Sequence, residues 1–146
     1  MTTRRVLVTG SRQWDDRLAV ARVLCNQRDM LGDGDTLVVV HGDCPAGPDA
    51  MADAWVERHP SHRVIVERER HPAKWQDCAP DCPRGHRRRR GASTYCPTAG
   101  FRRNGEMVAL GADVVLAFRK GGSSGTTDTI RQAEAAGIPV VLDDRP

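Results

Sequence analysis

The sequence predicts a Rossmann-like α/β fold, an open parallel sheet of about five strands with helices on both faces. Three observations predict it. Short apolar runs recur at Val6-Leu7-Val8, Leu37-Val38-Val39-Val40, Val64-Ile65-Val66, Val114-Val115-Leu116-Ala117 and Val140-Val141-Leu142. They are continuous rather than alternating, as expected of strands buried on both faces. Helical patterns separate them, giving the order β-α-β-α-β-insert-α-β-α-β, and alternation of this kind implies right-handed crossovers. Polar glycine-containing loops then fall at the carboxyl ends of the strands, the edge where open α/β sheets bind ligands.

Each element has its own signal. Asp16 to Met30 places Ala19, Val20, Val23, Leu24 and Met30 on one helical stripe. Asp49 to Arg58 follows a Gly-Pro turn, with Asp49 as the expected N-cap residue. Phe101 to Leu110 stops at Gly111, and Thr126 to Ala136 stops at Gly137 ahead of Pro139. At 146 residues the chain is expected to form one domain over 1–146, with a segment at 78–97 inserted into it. Hydrophobic content is 39%. The stretch from His71 to Gly100, rich in Pro, Arg, Cys and Gly, is expected to add little to the core.

Net charge is +3, with much of the excess in Arg87-Arg88-Arg89-Arg90. Such a run reads as a solvated loop, and the remaining excess as an affinity for acidic groups, phosphate or nucleic acid. The N-terminus passes from Thr2-Thr3-Arg4-Arg5 into a short apolar run, unlike a secretory signal, and no segment has the length of a membrane span. The expectation is a cytoplasmic protein with no membrane partner. In that reducing setting the five cysteines point to metal or reactive thiols rather than disulfides.

Two segments carry chemistry. Gly121-Gly122-Ser123-Ser124-Gly125-Thr126 joins a buried strand to a helix. Glycines let backbone N–H groups approach an anion, hydroxyls add donors, and the helix N-terminus is electropositive. The plainer alternative is a tight loop with a Ser or Thr cap; the segment is neither a Walker loop nor a GxGxxG fingerprint. Gly10-Ser11-Arg12 and His41-Gly42-Asp43 through Gly47 fall on the same edge. Arg12 is a candidate phosphate contact or a surface salt bridge. Trp14 is expected to pack against the sheet edge, with stacking on a base as the alternative, and His41 and His71 to be structural.

The second segment is C-x3-C-x3-H-x9-C, offering Cys78, Cys82, His86 and Cys96 as ligands of a structural Zn²⁺. Three thiolates and one imidazole suit tetrahedral zinc, and a closed set leaves no open position for substrate. An insert holding Pro80, Pro83, Gly85 and five arginines cannot bury a core, so a metal is what would order it. The alternative is a disordered loop with incidental cysteines. Ordered, it would stand beside the strand edge and bring Arg87–Arg90 near the ligand mouth as a lid or partner surface.

Taken together, these segments resemble the SLOG superfamily, which groups the DprA proteins with the "lonely guy" phosphoribohydrolases, and more narrowly its YspA-like branch. The matching residues are Val8-Thr9-Gly10-Ser11-Arg12, His41 through Asp49 with Met51-Ala52, Arg103-Asn104-Gly105-Glu106-Met107, and Gly121 to Asp128 with Gly137-Ile138-Pro139-Val140. The resemblance implies a nucleotide-type ligand held by Gly10, Ser11, Arg12, Gly42, Asp43, Gly47, Arg103, Asn104 and Gly121 through Thr126. In the phosphoribohydrolases an arginine of Arg-Lys-x-x-Met and a glutamate of Gly-Gly-x-Gly-Thr-x-x-Glu act at a glycosidic bond. Arg103 matches the first, with Asn104 in the lysine's place. Thr129 occupies the glutamate's place and Asp128 lies one position earlier, so Arg103 and Asp128 are the candidate catalytic pair, and Arg102 must then face solvent or the insert.

Three functions follow in order: a binding module or sensor for a nucleotide or nucleotide-sugar, a nucleotide N-glycosidic hydrolase, and a single-stranded DNA binder. Against the last, three tryptophans, two phenylalanines and one tyrosine offer no evident aromatic-plus-basic platform. A second copy of the chain is a further expected partner.

Overall fold

The computed structural model describes residues 1–58 and 63–146. Its elements are β1 (Thr3–Gly10), α1 (Arg17–Asp29), β2 (Thr36–His41), α2 (Pro48–Arg58), β3 (Ile65–Arg70), β4 (Arg88–Arg90), β5 (Ser93–Tyr95), α3 (Ala99–Ala109), β6 (Val114–Lys120), α4 (Ser124–Ala135) and β7 (Val140–Arg145). The five apolar runs form one sheet in the order β3-β2-β1-β6-β7. Every pairing in it is parallel. The chain builds outward from β1 to β3, then crosses back to lay β6 on the other side of β1. That reversal opens a crevice above the ends of β1 and β6.

Side chains alternate across each strand and so feed two cores. Val6, Val8, Leu37, Val39, Leu116 and Phe118 pack against Val20 and Leu24 of α1 and Trp55 of α2. Leu7, Val38, Val40, Val115 and Ala117 pack against Met107 and Val108 of α3 and Ile130 of α4. Burying one such side chain contributes about 1.5–3 kcal/mol, and these two layers hold the sheet rigid beneath its loops. Trp14 is buried edge-to-face on Phe118, with its ring N–H donated to the Asp16 carbonyl at 2.9 Å.

The expectation of burial on both faces holds for β1, β2 and β6 and fails at the edges. Ile65 of β3 and Val141 and Leu142 of β7 are exposed. An edge strand has a neighbour on one side only, and both strands run on into charged residues, which discourages pairing with another sheet. Met30 also leaves the expected stripe: it is the C-cap residue of α1 and exposed, while Leu31 is buried instead. Asp16 caps α1 by accepting the Ala19 N–H at 3.0 Å. α4 begins at Ser124, so Ser124, Gly125 and Thr126 form its first turn rather than a loop. No helix among the described residues is long and apolar enough to cross a membrane.

Ion pairs tie β3 to its neighbours. Arg5 grips Glu69 in a bidentate pair at 3.0 and 2.8 Å, and His71 adds a contact at 2.8 Å. Arg70 grips Asp53 at 2.9 and 2.8 Å, with His41 Nε2 on the same carboxylate at 2.9 Å. The Arg70 hydrogen bonds hold Asp53 down at about 2, and those of Arg5 do the same to Glu69. Both folded values lie below the unfolded ones, so the stabilisation is present above about pH 4 and is lost as pH falls toward 2. The melting temperature is therefore expected to fall steeply across that window. Asp53→Asn combined with Glu69→Gln should lower it at pH 7 and flatten the acid limb in a calorimetric pH series. Parallel curves for the two proteins would contradict the assignment.

Candidate functional site

The crevice between β1 and β6 is a cleft of about 680 Å³. Gly10, Arg12, Gln13, Cys44, Arg103, Lys120, Gly121, Ser123, Ser124, Gly125 and Pro146 line it. Gly121 and Gly122 both adopt positive φ, +64° and +67°, which turns the chain sharply from β6 into α4. The Ser123 side chain makes no capping bond. The N–H groups of the first turn of α4 are thus left for another acceptor, at the positive end of the helix dipole.

Across the cleft, α3 delivers Arg103. Its guanidinium donates to the Gly42 carbonyl and, at 3.2 Å, to the His71 carbonyl, while Nε donates to Asn104 Oδ1 at 3.0 Å. A Cβ at Gly42 would collide with that guanidinium, so glycine there is what admits the arginine. Asn104 is buried and donates from Nδ2 to the Gly125 carbonyl and to Asp128 Oδ2, both at 3.4 Å. It holds Arg103 and the start of α4 in fixed relation.

Several expected ligand contacts are instead supports of the cleft. The buried Ser11 hydroxyl staples the strand ends, accepting the Lys120 N–H at 2.8 Å and donating to the Lys120 carbonyl at 3.0 Å. Asp49 is not the N-cap of α2 but lies inside its first turn, because the helix starts at Pro48. Its buried carboxylate accepts the loop amides of Gly42 and Cys44 at 3.1 and 3.3 Å. Burial pushes the Asp49 carboxyl up, against the opposing pull of His41 and the Cys44 amide. Gly47 packs on the Ser11 backbone. Asp43, at φ +56°, points to the opposite side of the loop, where it lies 3.8 Å from Arg70. Thr126 is buried with its hydroxyl on Ser123 Oγ at 3.2 Å.

The expected catalytic pair is split. Arg103 lines the cleft and Asp128 does not. Asp128 accepts from Asn104 and, at 3.0 Å, from Gln132 Nε2. Thr129 is fully buried with its hydroxyl on the Gly125 carbonyl at 3.2 Å. A glutamate there would point into the core beneath α4. Lys120, Gln13 and Pro146 line the cleft without having been expected; Lys120 Nζ reaches Asp15 at 3.4 Å. The lysine at the end of β6, directly before Gly121-Gly122, was the available signal.

The insert is ordered around four side chains. One ligand atom each from Cys78, Cys82, His86 and Cys96 falls within a 4.8 Å cluster able to hold a metal. Cys82 and Cys96 sulfurs are 3.8 Å apart, and His86 Nε2 lies 3.4 Å from Cys78 and 3.3 Å from Cys96. Two sulfurs each about 2.3 Å from a tetrahedral zinc lie about 3.8 Å apart, so the donor set fits. His86 Nδ1 donates to the Pro83 carbonyl at 2.6 Å, which turns Nε2 to the cluster. The Thr98 hydroxyl, with help from its amide, Arg102 and His86, lowers the Cys96 thiol to about 5.

Arg102 faces the insert, with its guanidinium on Thr98 at 2.8 Å and on the Asp77 carbonyl at 2.6 Å. The arginine run is solvent-exposed over Arg88–Arg90, as expected, but it is a hairpin strand rather than a loop. Arg87 donates to Cys78, to Gln76 and to Thr94, and Arg88–Arg90 form a strand paired antiparallel with Ser93–Tyr95. This hairpin walls a second cavity with Trp75, Tyr95 and Phe101. The aromatic-plus-basic surface that the sequence did not reveal is present, assembled from three separate elements.

Comparison with known proteins completes the picture. The model of the YspA, cpYpsA-related SLOG family matches residues 4–77. The chain is 40% identical to the "Gene 61 protein" of Mycobacterium phage D29, over 98% of this chain and 99% of that one. Among solved structures it is similar, at 16% identity and a TM-score of 0.43, to the C-terminal domain of a hydrogenase from Pyrococcus furiosus, covering 98% of this chain and 93% of that one. The family match and the phage relative agree with the loops and strands described above: the chain belongs to the YspA, cpYpsA-related SLOG family.

Proposed function

We propose that the chain is a binding module for a nucleotide-type phosphate ligand, with the phosphate seated on the first-turn amides of α4. The observation that carries this is the pairing of an uncapped helix start after Gly121-Gly122 with Arg103 on the opposite wall. Backbone N–H groups, a helix dipole and a guanidinium converging on one cleft favour a compact anion. Membership of a SLOG family supports a nucleotide as its source. Zn²⁺ belongs to the same proposal, held by Cys78, Cys82, His86 and Cys96; when bound, it supplies cross-linking of the insert rather than Lewis-acid chemistry. Cysteines used as metal ligands rather than in disulfides fit a reducing, cytoplasmic setting.

A hydrolase of the phosphoribohydrolase type is the second reading, and the placement of Asp128 weighs against it. An oxocarbenium-like transition state needs a carboxylate beside the sugar, whereas this one is spent on Asn104 and Gln132. A panel of nucleoside monophosphates and nucleotide sugars, read by calorimetry for binding and by chromatography for free base, separates the two. The expected result is saturable binding with slow or no base release, any release being abolished in Asp128→Asn. Rapid release that survives this substitution would overturn the assignment.

A further inference from the structure

The second cavity, about 600 Å³, opens beside the phosphate cleft and shares Arg12 and Ser124 with it. We propose that this cavity is the base subsite: the nucleobase of a nucleoside 5′-phosphate enters the insert cavity while its phosphate occupies the α4 cleft. This rests on the reading of that cleft as a phosphate site.

The hairpin register places Arg88, Arg90, Ser93 and Tyr95 on one face, because Arg88 pairs with Tyr95 and Arg90 with Ser93. All four line the cavity. Trp75 stands edge-on to Tyr95 with ring centroids 5.9 Å apart, and the Arg90 guanidinium lies over the Tyr95 ring at 5.3 Å. The Trp75 ring rests against Gly100 at the start of α3, where a Cβ would come within 3.1 Å of it. Its carbonyl accepts the Cys96 N–H at 2.7 Å, which ties the aromatic wall to the metal cluster. Gln76 and Ser93 supply polar edges within the same cavity. Flat aromatic faces, a guanidinium and a few hydrogen-bonding groups suit a planar, heteroatom-rich ring. The shared wall of Arg12 and Ser124 is where a ribose would join the two parts. A free phosphate or a sugar phosphate would leave this cavity unused.

The test uses the intact zinc-loaded chain, titrated with AMP, ribose 5-phosphate, adenosine and a short oligodeoxyadenylate. Calorimetry and tryptophan fluorescence are the readouts. Trp14 and Trp55 are buried, so quenching reports chiefly on Trp75. AMP is expected to bind roughly tenfold or more tighter than ribose 5-phosphate, as base–aromatic stacking would provide, and to quench fluorescence where the sugar phosphate does not. Trp75→Leu should bring AMP down to the affinity of ribose 5-phosphate and leave ribose 5-phosphate itself unchanged, with zinc content confirming a folded insert. AMP binding no tighter than ribose 5-phosphate, without quenching, overturns the base subsite while the phosphate reading stands. If neither phosphate binds, the phosphate reading fails and the proposal, which rests on it, falls with it, whether or not adenosine quenches. Oligodeoxyadenylate binding far tighter than AMP and lost in Trp75→Leu would make the cavity a nucleic-acid groove and overturn the proposal.

Discussion

Cys82→Ser is expected to strip the zinc from the protein and leave the segment from Cys78 to Pro97 open to protease. Cys82 reaches Cys96 at 3.8 Å and receives the Arg102 guanidinium at 3.7 Å, so it joins the insert to the start of α3. Structural zinc in small peptides provides about 10–16 kcal/mol of apparent binding energy, far more than the short β4–β5 hairpin supplies. With one thiolate gone, the remaining donors no longer close a tetrahedron. The two sheet cores contain no residue from Cys78 to Pro97, so the melting transition of the sheet should move much less than the metal content. Elemental analysis should find about one zinc per chain in the parent protein, the same in Cys25→Ser, which lies on α1 outside the cluster, and little in Cys82→Ser. Cleavage within Arg84–Arg90 should appear only in the last. A parent protein purified metal-free without chelator, with its insert still resistant, would remove the zinc assignment.

Ser124→Glu is expected to abolish anion binding without loss of stability. Ser124 is the first residue of α4 and lines both cavities. A carboxylate there sits at the positive end of the helix, worth about 0.3–1 kcal/mol in its favour, so the melting temperature should hold or rise. The same charge would meet the incoming phosphate at short range, where like charges cost several kcal/mol, on the order of a hundredfold or more in affinity. Calorimetry with AMP, paired with thermal melts, separates the two effects. Unchanged affinity in a stable Ser124→Glu protein would place the anion elsewhere.

What the sequence made legible follows from how local each signal is. The three central strands could be read because they are buried on both faces and therefore uniformly apolar. β3 and β7 carry apolar residues only in their first half, and edge exposure depends on strand order, which no local pattern contains. The metal cluster was legible because its four ligands lie close along the chain and their side chains choose the chemistry. The aromatic cavity was not: Trp75, Tyr95 and Phe101 sit on a loop, a hairpin and a helix, and only the folded insert brings them together. Ser11 and Asp49 were misread for a related reason. Sequence offers Ser11 as a ligand contact and Asp49 as a cap of its own helix, yet the fold commits both to loop and strand-end amides. Arg103 was legible through its motif, but its partners, the Gly42 and His71 carbonyls, come from the ends of other strands.

The central claim, a phosphate seated on the first turn of α4, is tested most directly by a crystal of the zinc-loaded protein soaked with AMP. Phosphate oxygens are expected within hydrogen-bond distance of amides between Gly122 and Thr126, with Arg103 on the facing wall. Phosphate density at any other edge of the sheet, or an α4 terminus that stays vacant at saturating AMP while the nucleotide is bound elsewhere, would contradict it.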